Sequence, residues 1–165
     1  MQKLSNPLSI DMRSLLSAAL VFSIACQAEA GLRHCSFRVH LTANANDGDA
    51  FAQPVRSLTG RGVYIDKTPW ITEREVTAFC PYRAADGSYA ALLVLDDHGR
   101  TVLDTLSIEH RGSQLFIFIN GRPLTELQVD RRVSDGKIYL PAGLTETDIK
   151  LMNKDWKLLG HTKRK

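Results

Sequence analysis

The sequence lacks the motifs that assign an enzyme class directly. It contains no P-loop, no glycine-rich dinucleotide fingerprint, no HExxH and no GxSxG. It also has no CxxC pair and no cysteine–histidine spacing typical of a zinc site. These absences exclude the motif-defined nucleotide-binding proteins, zinc metalloproteases and α/β-hydrolases. The sequence therefore indicates no catalytic residue, no cofactor and no metal ion.

Extremes of composition are absent as well. Proline (6) and glycine (11) are few, hydrophobic residues make up 44% and charged residues 24%, which excludes a disordered or collagen-like chain. The net charge of +3 is too small to indicate a nucleic-acid partner. A length of 165 residues is typical of one ordinary domain.

Long hydrophobic runs are also missing, and the one clear apolar run is N-terminal. It spans residues 15–25, and at about 11 residues it is far shorter than the roughly 20 of a membrane-spanning helix. Lys3 and Arg13 precede it, and small residues follow up to Ala30. This order is typical of a secretory signal peptide, so we expect cleavage between Ala30 and Gly31 and a periplasmic protein without a transmembrane segment.

Three alternatives for this segment stay open. Translation from Met12 would leave residues 13–30 as a compact signal. The Ala before Cys26 also suits a bacterial lipoprotein signal, in which that cysteine carries a lipid and anchors the domain to a membrane, although Ser23 is unusual in that signal. The segment could instead form a buried N-terminal helix.

Export would leave two cysteines, Cys35 and Cys80. Because the compartment outside the cytoplasm is oxidising, we expect them to form a disulfide. The bond would close a loop of about 46 residues and stabilise the fold by roughly 4 kcal/mol. The rival interpretation is a catalytic or metal-binding thiol.

Alternation of apolar and polar residues predicts the first strand. From Cys35 to Leu41 every second residue is apolar, which places Cys35 in the core and His40 on the opposite, wet face. The stretch from Asn44 to Gly62 is rich in Asn, Asp, Gly and Ser and is predicted to be a long loop. Further strands are predicted at 63–65, 76–82, 89–95, 115–119, 123–129 and 137–140, and helices at 97–108 and 145–156.

Turn and cap signals connect these elements. Asp86-Gly87 and Asn120-Gly121 lie between strand patterns and predict hairpins. Asp97 is the expected N-cap of the first helix, and capping-box patterns begin at Thr72 and Thr145. The sequence therefore predicts an α+β fold, in which an antiparallel sheet built from hairpins carries two helices on one face.

The order of these motifs resembles that of a known family, the periplasmic head domain of the SecD subunit of the bacterial preprotein translocase. The resemblance covers residues 63–154. The matching pieces are Val63-Tyr64-Ile65, Pro69-Trp70-Ile71-Thr72-Glu73, Asp86-Gly87, Leu95-Asp96-Asp97-His98-Gly99-Arg100, Phe116-Ile117-Phe118-Ile119-Asn120-Gly121 and Leu140-Pro141-Ala142-Gly143-Leu144-Thr145.

The resemblance implies a fold and contact with extended or unfolded polypeptide. It does not imply the translocase activity, because that subunit spans the membrane several times, and the cysteine pair is not part of the family pattern.

Three segments of the chain are expected: a signal peptide at 1–30, an N-terminal strand and loop at 31–62, and a SecD head-like domain with a basic C-terminal tail at 63–165.

Some residues are weak candidates for catalysis or metal binding. Asp96, Asp97 and His98 lie together where a helix begins, although an aspartate there is more typical of an N-cap. Ser107 and His110 have helical i, i+3 spacing but no visible acidic partner. Neither group predicts an active site.

Other candidates could bind partners. His34 and His40 share a face of the first strand, but at roughly 20 Å apart they are too distant for one metal ion. Trp70 and Trp156 are candidate binding aromatics, with a core position as the alternative. The tail from Lys154 to Lys165 holds five basic residues and one histidine, and is either a solvated end or a contact for an acidic partner or lipid headgroups.

The sequence thus predicts an exported, non-enzymatic binding protein with a protein or polypeptide partner in the cell envelope. An immunity protein that sequesters a periplasmic toxin and, less favoured, a small periplasmic hydrolase are the alternatives. Capture of an extended strand at a sheet edge is the expected mode. The expected contact elements are the strands around the Asn120-Gly121 turn, with Arg122, Leu124, Glu126, Leu127 and Gln128.

Overall fold

The computed structural model describes residues 34–160. The predicted signal peptide, with Cys26 and the expected Ala30–Gly31 cleavage site, lies outside the described residues, as does the end of the basic tail. None of the helices between residues 34 and 160 is long and apolar enough to cross a membrane.

The chain forms ten strands and two α-helices within these residues. In chain order they are β1 (Phe37–Leu41), β2 (Ala52–Arg56), β3 (Gly62–Asp66), β4 (Ile71–Thr72), β5 (Val76–Arg83), β6 (Tyr89–Leu95), α1 (Asp97–Glu109), β7 (Gln114–Ile119), β8 (Arg122–Gln128), β9 (Lys137–Leu144), α2 (Glu146–Asp155) and β10 (Lys157–Leu158).

The strands form two four-stranded sheets and one separate hairpin. The first sheet has the order β4-β1-β7-β8, and the second has the order β10-β5-β6-β9. Every pairing is antiparallel except that of β10 with β5, and β2 pairs with β3 as the hairpin. The predicted α+β class is confirmed, with the strands divided between two sheets that share one core.

The core lies between the two sheets and the buried sides of both helices. Alternate residues of β1 and β7 enter it from the first sheet, and alternate residues of β6 and β9 enter it from the second. Trp156, just after α2, closes one end, where its ring meets Phe37 and Phe79 edge to face at 6.5 and 6.4 Å. The largest fully buried side chains of this core include those of Phe37, Val39, Ile71, Phe79, Leu93, Leu106, Ile117, Ile119, Leu140, Leu144 and Met152.

The stretch predicted to be a long loop, 44–62, instead contains a strand. Its second half forms β2, which pairs with β3 across a turn in which the Ser57 amide donates to the Arg61 carbonyl at 2.8 Å. The polar composition concealed this strand because only Ala52 of β2 is buried. The β2–β3 hairpin also touches the end of β1, since the Ala43 amide donates to the Tyr64 carbonyl.

His40 corrects the predicted wet face of β1. The alternation correctly places Phe37, Val39 and Leu41 in the core, but His40 is only 5% exposed on the opposite side. Its Nδ1 is hydrogen-bonded to the Asp66 carbonyl at the end of β3 at 2.7 Å. Burial lowers the pKa of His40 from its ordinary value, and this hydrogen bond offsets only part of the effect.

The local turn and cap predictions hold, with one shift. Asn120 and Gly121 have φ of 51° and 78°, the positive values that a tight hairpin turn of this kind requires. The capping boxes at Thr72 and Thr145 both form. The N-cap of α1 is Asp96 rather than Asp97, because the Asp96 carboxylate accepts the Gly99 amide at 2.7 Å.

The predicted Cys35–Cys80 disulfide is absent, and both described cysteines are free thiols. Cys35 belongs to the core between the sheets. Phe79 of β5 fills that core, so the neighbouring Cys80 lies on the other face of the second sheet. The sequence prediction rested on the oxidising compartment and the number of cysteines, neither of which shows whether the two thiols face each other.

The two thiols should react with iodoacetamide at very different rates. Burial, with nearby Asp148, Asp155 and Glu73, raises the pKa of Cys35 to about 12, whereas Cys80 is partly exposed. A shift from 9.0 to about 12 lowers the thiolate fraction on the order of a thousandfold. Mass spectrometry of the folded protein should find alkylation at Cys80 only. Urea should add label at Cys35, and a folded protein without any reactive thiol would contradict the free-thiol state.

Candidate functional site

The predicted contact element, the hairpin of β7 and β8, is largely structural. The Asn120 side chain accepts the Ser36 amide at 3.0 Å and donates to Asp148 at 2.7 Å. Arg122 donates to Asp148 and to the Gly143 carbonyl. These bonds tie the turn to the start of α2, so its polar groups are already used within the protein.

The rest of β8 is an edge strand, but it is poorly suited to capture another strand. Leu124 is buried, and the Glu126 carboxylate accepts the Leu58 amide from the tip of the β2–β3 hairpin at 2.5 Å. Leu127 packs against the core, and Gln128 is exposed. Glu126 therefore clamps the hairpin tip, although sequence reasoning treated it as a partner contact.

Proline occurs in three of the four strands that end a sheet and exceed two residues, and the fourth, β3, has no proline but forms a bridge at Ile65 with Thr42. Pro54 lies in β2, Pro123 in β8 and Pro141 in β9. Because proline has no N–H to donate, an added strand cannot form a continuous ladder along any of these three edges. Side-chain grooves are therefore better candidate binding surfaces than the sheet edges.

An open apolar groove lies beside Trp70. Its walls are the residues before β2, the segment from the end of β3 to Trp70, and the middle of α1. Its cavity volume is about 590 Å³, within the range of small-ligand sites. We call it the Trp70 groove. Its lining residues are Ala50, Phe51, Asp66, Thr68, Pro69, Trp70, His98, Thr101, Val102 and Thr105.

Trp70 is held rigidly at the base of this groove. Its indole Nε1 donates to the Asp66 carboxylate at 2.6 Å, and its backbone amide donates to the Val39 carbonyl at 2.8 Å. The His110 ring meets the indole edge to face at 5.3 Å. These contacts leave the indole half-buried with one side lining the groove, so Trp70 is placed as a binding aromatic.

Phe51 forms the outer lip of the groove. Its side chain is 72% exposed, although an aromatic ring of this size gains about 1.5–3 kcal/mol from full burial. Val102 of α1 is half-buried and lies in the opposite wall. Sequence reasoning did not single out Phe51, and the one available signal was a lone aromatic residue in a polar stretch.

A second cavity, about 630 Å³, opens between α1, the two sheets and the loop after β8. That loop is pinned to α1, since the Val133 amide donates to the Ser107 hydroxyl at 2.9 Å and Arg132 makes a two-pronged contact with Asp104. Many of its lining residues also belong to the core. This cavity is therefore a less accessible candidate than the Trp70 groove.

The candidate acid–base cluster at the start of α1 does not converge. Asp96 is the N-cap, and Asp97 is 95% exposed and pairs with Arg100 at 3.1 Å. His98 Nδ1 lies 3.9 Å from the Glu75 carboxylate. The three side chains thus have separate structural partners, although His98 also lines the Trp70 groove.

The remaining candidates are also separated. Ser107 donates to the Asp104 carbonyl, while His110 packs on Trp70. His34 pairs with Asp155 at 2.9 Å, far from the buried His40. Within residues 34–160, no three His, Cys, Asp or Glu side chains form a group that could hold a metal ion.

Comparison with known proteins gives a match in fold. No protein-family model matches the sequence, and no curated protein matches it. A crystal structure of SecDF in a super-membrane-facing form has a TM-score of 0.53 and 12% identity, over 77% of this chain and 19% of that chain. A structure of SecDF, described as a membrane component that enhances protein export, has a TM-score of 0.53 and 10% identity, over 92% of this chain and 72% of that chain.

The chain thus spans about a fifth of the first of these two proteins and about seven tenths of the second. Identities of 12% and 10% carry the fold and not the activity. The expectation drawn from the sequence motifs is confirmed at that level: this chain has the fold of a SecD-like head domain.

Proposed function

We propose that this chain is an exported, non-enzymatic binding domain that contacts extended polypeptide through the Trp70 groove. The observation that carries the proposal is an open apolar groove with a rigid tryptophan at its base and an exposed phenylalanine at its lip. Such patches on a protein surface are typical of interaction sites. The likeness in fold to SecDF, described as enhancing protein export, supports polypeptide as the partner class.

Export is the second part of the proposal. It rests on the signal-peptide pattern of residues 1–30, with cleavage before Gly31 as the main route and lipid attachment at Cys26 as the alternative. The residues beyond the signal would then comprise an N-terminal segment at 31–62 and a SecD head-like domain at 63–165. A partner of this domain would be met in the periplasm or at the membrane surface.

The expected affinity is low. Burial of one large apolar side chain contributes roughly 1.5–3 kcal/mol, and ordering a flexible peptide opposes binding. A groove that holds one or two such side chains therefore gives transient complexes, with dissociation constants on the order of micromolar to millimolar. Such affinities suit brief contact with a moving or unfolded chain.

Substitutions in the groove should weaken peptide binding without unfolding the protein. We expect Phe51→Ser and Val102→Ser each to raise the Kd for a fluorescein-labelled peptide with one central phenylalanine by about tenfold or more, because each removes apolar contact area. Fluorescence anisotropy measures the Kd, and circular dichroism checks the fold.

Ile108→Ser is the matched control for these variants. Ile108 is also apolar, lies on α1 and is 54% exposed, but it does not line the groove. Its substitution should leave the Kd within about twofold of wild type, since surface substitutions away from a site have small effects. Equal loss of binding in the control, or unchanged binding in both groove variants, would contradict the proposed site.

A further inference from the structure

The Trp70 groove carries one carboxylate among otherwise uncharged walls. Of its ten lining residues, Asp66 is the only acidic one, and none is a lysine or an arginine. The other polar linings are the hydroxyls of Thr68, Thr101 and Thr105 and the imidazole of His98. The groove therefore combines an apolar floor with a single negative charge.

The Asp66 carboxylate is fixed in place but only partly used. Its Oδ2 accepts the Trp70 indole N–H at 2.6 Å, and its backbone carbonyl is hydrogen-bonded to His40. Among residues 34–160, no side chain forms an ion pair with Asp66. The adjacent Lys67 extends elsewhere, because its Nζ donates to the Asp49 carbonyl at 3.1 Å.

The cations on α1 and near it have other partners. Arg100 pairs with Asp97 at 3.1 Å, and Arg132 pairs with Asp104 at 2.6 Å. His98 lies near the carboxylate of Glu75. The negative charge of Asp66 therefore has no cationic partner within the described chain, and a cation on a bound ligand could supply one.

We propose that the groove selects polypeptide segments in which a large apolar side chain is adjacent to a lysine or arginine. The apolar side chain enters between Phe51, Trp70 and Val102, and the neighbouring cation pairs with Asp66. This selectivity rests on the proposed function, since it specifies the partner of the same groove. The charge is complementary, and an acidic neighbour would instead be repelled.

Three labelled peptides test the inference. They have equal length and one central phenylalanine, flanked on both sides by lysine, glutamine or glutamate. We expect the Kd to rise from the lysine to the glutamine peptide by about threefold or more and again to the glutamate peptide, because partly exposed charge pairs have modest effects. Raising the salt concentration to about 1 M should bring the three Kd values together.

Asp66→Asn is the informative variant. The asparagine carbonyl can still accept the Trp70 N–H, so the groove keeps its shape while the charge is lost. The ratio of the Kd for the glutamine peptide to that for the lysine peptide, both measured on this variant, should fall to about one. Asp97→Asn removes an exposed carboxylate that does not line the groove, and it should leave the preference unchanged.

The outcomes separate the two proposals. Equal binding of the three peptides to wild type would overturn the cation selectivity and leave the peptide-binding groove intact. A lysine preference that persists in Asp66→Asn would overturn the role of Asp66. Failure of all three peptides to bind would overturn both the selectivity and the proposed function.

Discussion

Replacing Asp148 by alanine should lower the free energy of unfolding by about 2–4 kcal/mol. Asp148 is only 4% exposed, and its carboxylate accepts hydrogen bonds from Thr145, Asn120 and Arg122. Removal of the carboxylate breaks the capping box of α2 and the attachment of the β7–β8 turn together. Arg122 is partly exposed, so water recovers some of the loss. Urea unfolding followed by circular dichroism measures the effect.

Glu146→Ala is the matched control for this variant. Glu146 lies in the same first turn of α2, but it is exposed and pairs with Lys150 on the surface. Its removal should change stability little. A loss for Asp148→Ala no larger than that of Glu146→Ala would show that the buried network contributes little to the fold.

The contribution of Asp148 should also depend on pH. Burial alone would raise the pKa of this carboxyl, but hydrogen bonds from Thr145, Asn120 and Arg122 outweigh burial and hold the pKa below its ordinary value. A carboxyl with a lowered pKa stabilises the fold fully above its unfolded pKa of about 4, and this stabilisation is lost as the pH falls through the folded pKa. The stability difference between wild type and Asp148→Ala should therefore shrink below about pH 4.

Replacing Trp156 by alanine should lower the free energy of unfolding by about 3–5 kcal/mol, because it leaves a large cavity in the core. The indole is buried and meets Phe37 of the first sheet and Phe79 of the second edge to face. Its ring therefore joins the two sheets at one end of the molecule. Urea unfolding measures the loss, and folded Trp156→Ala should still bind the phenylalanine peptide.

Trp156→Phe tests how much of the stability loss comes from losing an aromatic ring and how much from losing side-chain volume. Phenylalanine fills part of the space and keeps an aromatic edge toward Phe37, so the loss should be clearly smaller than for alanine. Equal losses in the two variants would contradict a cavity as the cause. A loss below about 1 kcal/mol for alanine would indicate that this end of the core repacks freely.

The features predictable from the sequence are those decided within a few residues. The Asn120-Gly121 turn needs two residues that tolerate positive φ, and the Thr72 and Thr145 capping boxes need side chains at a fixed short spacing. Alternation over β1 is equally local. The order of such signals was sufficient to indicate the α+β class and the SecD-like head fold.

The features that escaped prediction depend on distant parts of the chain. His40 is buried where β3 brings the Asp66 carbonyl to its ring and Phe118 of β7 packs against it edge to face. Cys35 lies in the core between the sheets, whereas Cys80 lies on the other face of the second sheet. Predicting this would have required knowing how the two sheets pack together. β10 has two residues and joins β5 in parallel, which no periodicity in so short a segment can reveal.

The candidate site belongs to the second group. Trp70 was recognised as a candidate, but Phe51 and Val102 come from separate parts of the chain and meet it only in the folded protein. Asp66 carries no motif at all. Its relation to the groove follows from a hydrogen bond to an indole four residues away and from the absence of an ion pair within residues 34–160.

The prolines of β2, β8 and β9 have a consequence for how long a partner stays bound. A polypeptide that added a strand to a free sheet edge would be held by a row of backbone hydrogen bonds. Such bonds form with almost any sequence, and because they break cooperatively the complex dissociates slowly. With Pro54, Pro123 and Pro141 on those edges, the proposed polypeptide partner would be held by a few side chains in the Trp70 groove. On the proposed function, dissociation would then be fast, and a bound segment would not be built into the sheets of the domain.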